Sequence, residues 1–246
     1  MIRVSAVSYT NTLPFIFGLE NSSIKEKIDL SLDIPSHCAK KLLEGKADIG
    51  LIPVAAILDL PEHYIISDYC IGATGAVNSV FIFSNCPLEE IEFLQLDPQS
   101  RSSNNLALVL LKNYWKLNPE NIINAQDYSQ SKHPKTAYVQ IGDRTFGKTD
   151  KYPYVYDLAQ EWYNFTGLPF VFAAWVSNKK LTDEFIAELN KAFQFGLDNR
   201  KEVLKSINNI YPDFDMEDYL MNKIDYTLDD KKKEALQLFH KLIKEL

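Results

Sequence analysis

The hydrophobic positions along the chain alternate between the periods of strands and helices, and the first such pair lies at the start. Residues 2–7 predict a strand, residues 8–11 a polar turn, and Leu13-Pro14-Phe15 the first turn of a helix that Gly18 can end. A helix N-terminus beside the end of a strand leaves unpaired backbone N–H groups, which suit a small anion such as a carboxylate. The pattern is equally typical of a capped turn without a ligand, and both interpretations stay open.

The following segments repeat the alternation. Residues 28–34 predict a strand, residues 35–45 a helix and residues 47–53 a second strand. Further on, the continuously apolar runs Val80 to Phe83 and Phe170 to Trp175 predict strands buried on both faces. Strands and helices that alternate at this spacing predict an α/β fold with a parallel sheet.

The two apolar strands also predict a division into domains. Each lies between one block of strands and helices and the next, so we expect each to mark a crossing between two lobes. The predicted first lobe is residues 1–80 and 175–246, the second is residues 81–174, and a ligand would lie in the cleft between them. From Leu181 onward the pattern predicts helices only, the first of them from Thr182 to about residue 208.

A second strand-to-helix junction repeats the chemistry of the first. Its loop, from Asp97 to Asn104, is rich in hydroxyl groups and carries one arginine, so it can also bind an anion. Serine and asparagine are also preferred helix caps, and both interpretations stay open. A later turn, Gly142-Asp143-Arg144, follows a predicted strand and leaves an acidic and a basic side chain at its carboxyl end.

Composition and charge argue against several classes of partner. The 246 residues have a net charge of −7 and only four arginines, so we expect no nucleic acid partner. No window approaches the roughly 18 apolar residues of a membrane span. The chain starts directly with a strand and shows no signal peptide, so we expect a cytoplasmic protein.

Cysteines and cofactor motifs give no sign of a bound group. The three cysteines, Cys38, Cys70 and Cys86, are far apart and have no histidine close by in the sequence. We therefore expect neither a disulfide framework nor a zinc site. No metal-ligand spacing or glycine-rich dinucleotide loop occurs, so we expect no metal and no cofactor.

Several motifs follow one another between Ile2 and Trp175. They are Val7-Ser8-Tyr9-Thr10-Asn11-Thr12-Leu13-Pro14, Gly75-x-Val77-x-Ser79-Val80, Asp97-x-x-Ser100-Arg101-x-Ser103, Ile141-Gly142-Asp143-Arg144, Tyr156-Asp157-Leu158 with Trp162, and Thr166-Gly167-Leu168-Pro169-Phe170-Val171-Phe172-Ala173-x-Trp175. Together they resemble chorismate dehydratase, the first enzyme of the futalosine route to menaquinone. The chain departs from that family at Thr10, where Leu is usual, and at Ala159, where Gly is usual.

The resemblance implies a two-lobed fold of the periplasmic-binding-protein type (type II) and a cytoplasmic enzyme without a cofactor. The implied reaction removes water from chorismate, a dicarboxylate, and gives 3-[(1-carboxyvinyl)oxy]benzoate. We expect Asn11 and Ser79 to be the catalytic residues that orient the substrate. Since no histidine falls in a motif, we expect the substrate's own enolpyruvyl carboxylate to take the proton while the site fixes its geometry. The residues expected to bind the substrate are Ser8, Tyr9, Thr12, Ser100, Arg101, Ser102, Ser103, Asp143 and Arg144.

Other interpretations stay open. Arg101 or Arg144 pairs with a substrate carboxylate, or the two hold the lobes together through Asp97 and Asp143. The protein is alternatively a solute-binding protein for a small carboxylate, or the sister enzyme that makes 1,4-dihydroxy-6-naphthoate on the same fold. That enzyme typically starts with Ser-Pro-Cys-Pro-Asn-Asp-Thr, which this chain lacks. The sequence does not predict the oligomeric state.

Overall fold

The structure, a computed structural model, describes residues 1–123, 133–207 and 211–246. The strands are β1 (Ile2–Val7), β2 (Ile28–Asp33), β3 (Ile49–Pro53), β4 (Tyr64–Ala73), β5 (Val80–Ser84), β6 (Phe93–Gln95), β7 (Asn121–Ile123), β8 (Thr136–Ile141), β9 (Tyr154–Asp157), β10 (Phe170–Ser177) and β11 (Asp225–Thr227). The α-helices are α1 (Leu13–Glu20), α2 (Pro35–Leu43), α3 (Ser102–Leu110), α4 (Leu158–Thr166), α5 (Asp183–Asp198), α6 (Arg200–Ser206), α7 (Met216–Asp218) and α8 (Asp230–Ile243). Short 3₁₀ helices include Thr10–Thr12, Val54–Asp59 and Gly142–Thr145, and Tyr219–Lys223 is a π-helix.

The strands form two sheets. Sheet A has the order β11-β4-β10-β3-β1-β2, and sheet B has the order β7-β6-β8-β5-β9. β1 pairs in parallel with both β2 and β3, so the predicted βαβ unit at the start of the chain is confirmed. The sheets are mixed rather than parallel throughout, because β10 runs antiparallel between β3 and β4. The chain leaves sheet A at Ala73 and returns at Phe170 directly opposite, so the returning strand must run the other way.

The division between the sheets follows from this path. Sheet A takes its strands from residues 2–73 and 170–227, and sheet B takes its strands from residues 80–157. The apolar runs predicted as crossings form β5 and β10, each a buried strand inside one sheet. The chain passes between the sheets through residues 74–79 and 158–169. The lobe boundaries at residues 80/81 and 174/175 stay a prediction.

Helices α1 and α5 touch through two glycines. A Cβ atom on Gly18 would lie 1.9 Å from the carbonyl oxygen of Ala192, and one on Gly196 would lie 1.8 Å from that of Pro14. The prediction that Gly18 ends the first helix is therefore wrong. The helix continues to Glu20, and Gly18 allows the close approach of two backbones.

The C-terminal part differs from the prediction of helices only. β11 pairs with β4, and the long predicted helix is interrupted at Asn199 between α5 and α6. Its predicted end near residue 208 lies outside the described residues. Strand β11 has three residues, too few for an alternating pattern to be visible. No helix in the described part of the chain is long and apolar enough to cross a membrane.

Candidate functional site

A cavity lies between the two sheets. It contains about 530 Å³ of empty space, including the solvent at its mouth. Both sheets and both predicted strand-to-helix junctions contribute to its wall. The lining residues are Val7, Tyr9, Asn11, Thr12, Pro35, Pro53, Ile71, Val77, Ser79, Val80, Ser100, Ser102, Ser103, Ile141, Gly142, Phe172 and Ala173.

The first junction contributes Tyr9, Asn11 and Thr12 to the cavity. The Thr12 hydroxyl donates to Asn11 Oδ1 at 3.2 Å, so one hydrogen bond restrains the Asn11 side chain. Burial raises the pKa of Tyr9 to about 12, so its phenol is neutral at physiological pH. Ser8, which was expected to bind substrate, is exposed and does not line the cavity.

Tyr9 also connects this junction to sheet B. Its hydroxyl donates to the side chain of Gln99, and its ring packs on Gly142. A Cβ on Gly142 would lie 2.7 Å from two ring carbons, and the φ of +65° also favours glycine. The tyrosine can therefore lie flat against the turn that follows β8.

The second junction contributes three serines whose hydroxyl groups differ in their hydrogen bonds. The Ser102 hydroxyl donates to the carbonyl of Phe172 at 2.8 Å and accepts from the amide of Ala55 at 3.2 Å. Ser100 Oγ accepts from the amide of Ser103 at 3.0 Å and so caps α3. Within the described residues the Ser103 hydroxyl has no hydrogen-bond partner, so it is free to bind a ligand.

The two arginines expected to bind a carboxylate lie elsewhere. Arg101 forms a surface ion pair with Asp59 at 2.5 Å, and Arg144 binds the buried Asp97 at 2.6 Å. Neither arginine lines the cavity. Asp143 is also outside it and accepts from the hydroxyl of Thr10 at 2.9 Å, so of the two predicted acidic partners only Asp97 pairs with an arginine in the described structure.

The cavity contains no charged side chain among the described residues. The first residues of α3 line it, so the positive end of that helix dipole lies at its wall. None of the four histidines lines it either; His240, for example, contacts the carbonyl of Val54 at 2.8 Å. Within the described ranges, no group of three or more histidine, cysteine or acidic side chains is arranged to hold a metal ion. A carboxylate in the cavity would therefore meet amides, hydroxyls and a helix dipole.

Ser79 is buried at the end of the segment that joins β4 to β5. Its carbonyl accepts from the amide of Gly142 at 2.8 Å. The residue before it, Asn78, has a φ of +60°, and the carboxylate of Asp157 accepts from the Asn78 amide at 2.7 Å. These contacts fix the backbone conformation that brings Ser79 to the cavity.

A tyrosine that the sequence did not indicate completes the site. The Tyr219 hydroxyl donates to Ser79 Oγ at 2.9 Å. Burial raises the pKa of Tyr219 well above its usual range, so the hydroxyl keeps its proton. Tyr219 lies in the C-terminal part, where the pattern predicted helices and no motif was recognised. The structure thus gives the Ser79 hydroxyl a buried phenol as its partner.

A comparison with family models shows the family, and comparisons with solved structures show the fold. A family model described as menaquinone biosynthesis matches residues 2–245. A structural-genomics protein from Archaeoglobus fulgidus matches with a TM-score of 0.76 and 12% identity, over 99% of this chain and 97% of its own.

Two further solved structures share the fold. The alkanesulfonate-binding protein from Xanthomonas axonopodis pv. citri, bound to MOPS, has a TM-score of 0.67 and 11% identity, over 99% of this chain and 92% of its own. A Candida albicans protein described as having the generic periplasmic binding protein fold has a TM-score of 0.59 and 11% identity, over 100% of this chain and 94% of its own. The predicted two-lobed periplasmic-binding-protein fold is confirmed.

Proposed function

The chain belongs to the menaquinone biosynthesis family, and on this basis we propose that it is a chorismate dehydratase. The reaction removes water from chorismate and leaves 3-[(1-carboxyvinyl)oxy]benzoate, so the protein is a carbon–oxygen lyase. The observation that carries the proposal is the convergence of Asn11 and Ser79 on one cavity between the sheets. The cytoplasmic location implied by the resemblance belongs to the same proposal.

The chemistry of the cavity suits this substrate. Chorismate is a dianion with a ring, a hydroxyl and two carboxylates. The amides at the N-terminus of α3 and the free hydroxyl of Ser103 suit a carboxylate. The apolar side chains of Ile71, Val77 and Phe172 suit the ring.

The proposed mechanism uses the substrate's own base. No histidine and no carboxylate lines the cavity among the described residues, so the enolpyruvyl carboxylate takes the ring proton. The electrons of that C–H bond form the new ring double bond, the C–O bond to the ring hydroxyl breaks, and the hydroxyl leaves as water with the proton that the carboxylate took up. The protein contributes by holding the carboxylate near the ring hydrogen and by donating hydrogen bonds to oxygen atoms of the substrate.

The test is turnover of chorismate, measured as formation of the aromatic product by absorbance and mass spectrometry. We expect Asn11→Ala to lower turnover by about a hundredfold or more, as loss of an orienting group does. Its unfolding free energy is expected to stay within about 1–2 kcal/mol of wild type, as for other turn positions. Ser79→Ala is expected to act in the same direction but less, because water can replace a hydroxyl contact.

The matched control is Asn21→Ala. Asn21 is exposed at the other end of α1 and bonds only to the carbonyl of Phe17 within the described residues, so turnover should not change. Near-normal turnover in a destabilised Asn11→Ala protein would end the catalytic assignment. Binding of chorismate without any product would favour a solute-binding protein, and absence of both would point to the sister enzyme or another substrate.

A further inference from the structure

Tyr219 is the buried partner of the Ser79 hydroxyl. Its hydroxyl donates to Ser79 Oγ at 2.9 Å, and the residue is 1% exposed. The hydrogen bond therefore runs from Tyr219 to Ser79.

This direction decides what Ser79 can do in the cavity. A serine hydroxyl has one hydrogen to donate and two lone pairs that accept. Because Tyr219 occupies a lone pair of Ser79, the Ser79 hydrogen remains available for the cavity that this residue lines. The substrate presents carboxylate, ether and hydroxyl oxygens, all of which accept.

We propose that Tyr219 is a positioning residue that fixes the direction of the Ser79 hydroxyl, so that Ser79 donates a hydrogen bond to the substrate. This role rests on the proposed dehydratase function. The tyrosine ring has a separate, structural role, since it packs against Phe146 and Phe214 with ring centroids 5.2 and 5.3 Å away. Replacing Tyr219 by phenylalanine keeps that ring and removes only the hydroxyl.

The experiment is a double-mutant cycle of Tyr219→Phe and Ser79→Ala, with kcat and KM for chorismate measured on each protein. If Tyr219 acts through Ser79, Tyr219→Phe lowers kcat by about tenfold or more with KM within about threefold. The double variant then has nearly the kcat of Ser79→Ala alone. Without the Ser79 hydroxyl, the Tyr219 hydroxyl has nothing to position, and its removal has no further effect. If the two residues act independently, the fold-loss of kcat in the double variant is the product of the two single losses.

Tyr226→Phe is the matched control. Tyr226 is also buried, and its hydroxyl donates to the backbone carbonyl of Asn11 at 3.0 Å rather than to a side chain of the site. We expect it to lower the melting temperature as much as Tyr219→Phe does, while kcat falls less than threefold. Equal losses of kcat in the two tyrosine variants would show a structural effect and overturn the role of Tyr219.

The remaining outcomes also separate the hypotheses. A wild-type protein that does not convert chorismate overturns the proposed function and this role with it. An active wild type with multiplying effects overturns only the role of Tyr219. If Tyr219→Phe does not fold, Ser79→Cys tests the same point, since a thiol accepts and donates weakly. We then expect kcat to fall by about tenfold or more at similar KM, and wild-type kcat would contradict the proposal.

Discussion

The contact between α1 and α5 gives a prediction whose sign depends on the tertiary structure. Alanine has a higher helix propensity than glycine by about 1 kcal/mol, so α1 taken alone predicts that Gly18→Ala stabilises the protein. In the folded protein the new Cβ would lie 1.9 Å from the carbonyl oxygen of Ala192. That oxygen belongs to the backbone of α5 and cannot turn away as a flexible side chain can.

The magnitude follows from how far the helices must separate. Contacts of a Cβ with an oxygen below 3.0 Å are essentially absent from proteins, so the two backbones must move apart by roughly 1 Å. Overpacking of this kind costs about 1–3 kcal/mol, and a 1 Å gap forfeits up to about half of the attraction between the facing atoms. One contact that would loosen is Phe15 against Phe193, whose ring centroids are 4.8 Å apart. We expect a net loss of about 2–4 kcal/mol after the gain in helix propensity.

The assay is thermal unfolding followed by circular dichroism. For a chain of this size the loss corresponds to a melting temperature lower by roughly 5–15 °C. Gly45→Ala is the control, because Gly45 has a φ of +66° and open space around the position of a Cβ. Its cost is conformational only, about 1 kcal/mol. A Gly18→Ala protein that melts at or above the wild-type temperature would refute the contact between the helices.

Two further predictions concern carboxylates that accept hydrogen bonds in the fold. The hydrogen bond from Arg3 holds the pKa of Asp48 well below its usual range. The ionised Asp48 carboxylate therefore stabilises the protein at pH 7, and this stabilisation is lost as the pH falls below the pKa of an aspartate in the unfolded chain, about 4. Asp48→Asn should therefore have a lower melting temperature than wild type at pH 7. The difference between the two melting temperatures should become smaller below about pH 4, and a larger difference there contradicts the assignment. Thr10→Val removes the hydroxyl that donates to Asp143 at 2.9 Å and should cost about 1–3 kcal/mol in denaturant unfolding. The exposed Thr227→Val should stay within about 0.5 kcal/mol, and equal effects of both changes would show that the bond to Asp143 contributes nothing.

The local parts of the fold were predictable because their causes lie within a few residues. The first strand and helix and the βαβ unit follow from hydrophobic periods that each segment carries by itself. Helix α4 begins after Asp157 and ends at Gly167, because the aspartate accepts from the amides of the first turn and glycine takes the left-handed conformation. The sequence motifs also drew attention to Asn11 and Ser79, both of which line the cavity.

The remaining features depend on residues that are distant in sequence and could not be predicted from a pattern. Arg144 pairs with Asp97 outside the cavity because the turn after β8 folds back beside the loop after β6. Tyr219 reaches Ser79 only because the C-terminal segment returns to the junction of the two sheets. Gly18 lies in the middle of α1 because a second helix approaches there. Hydrophobic periodicity and helix capping depend on residues that are close in sequence. Burial and hydrogen-bond direction in the site depend instead on which distant segments come into contact.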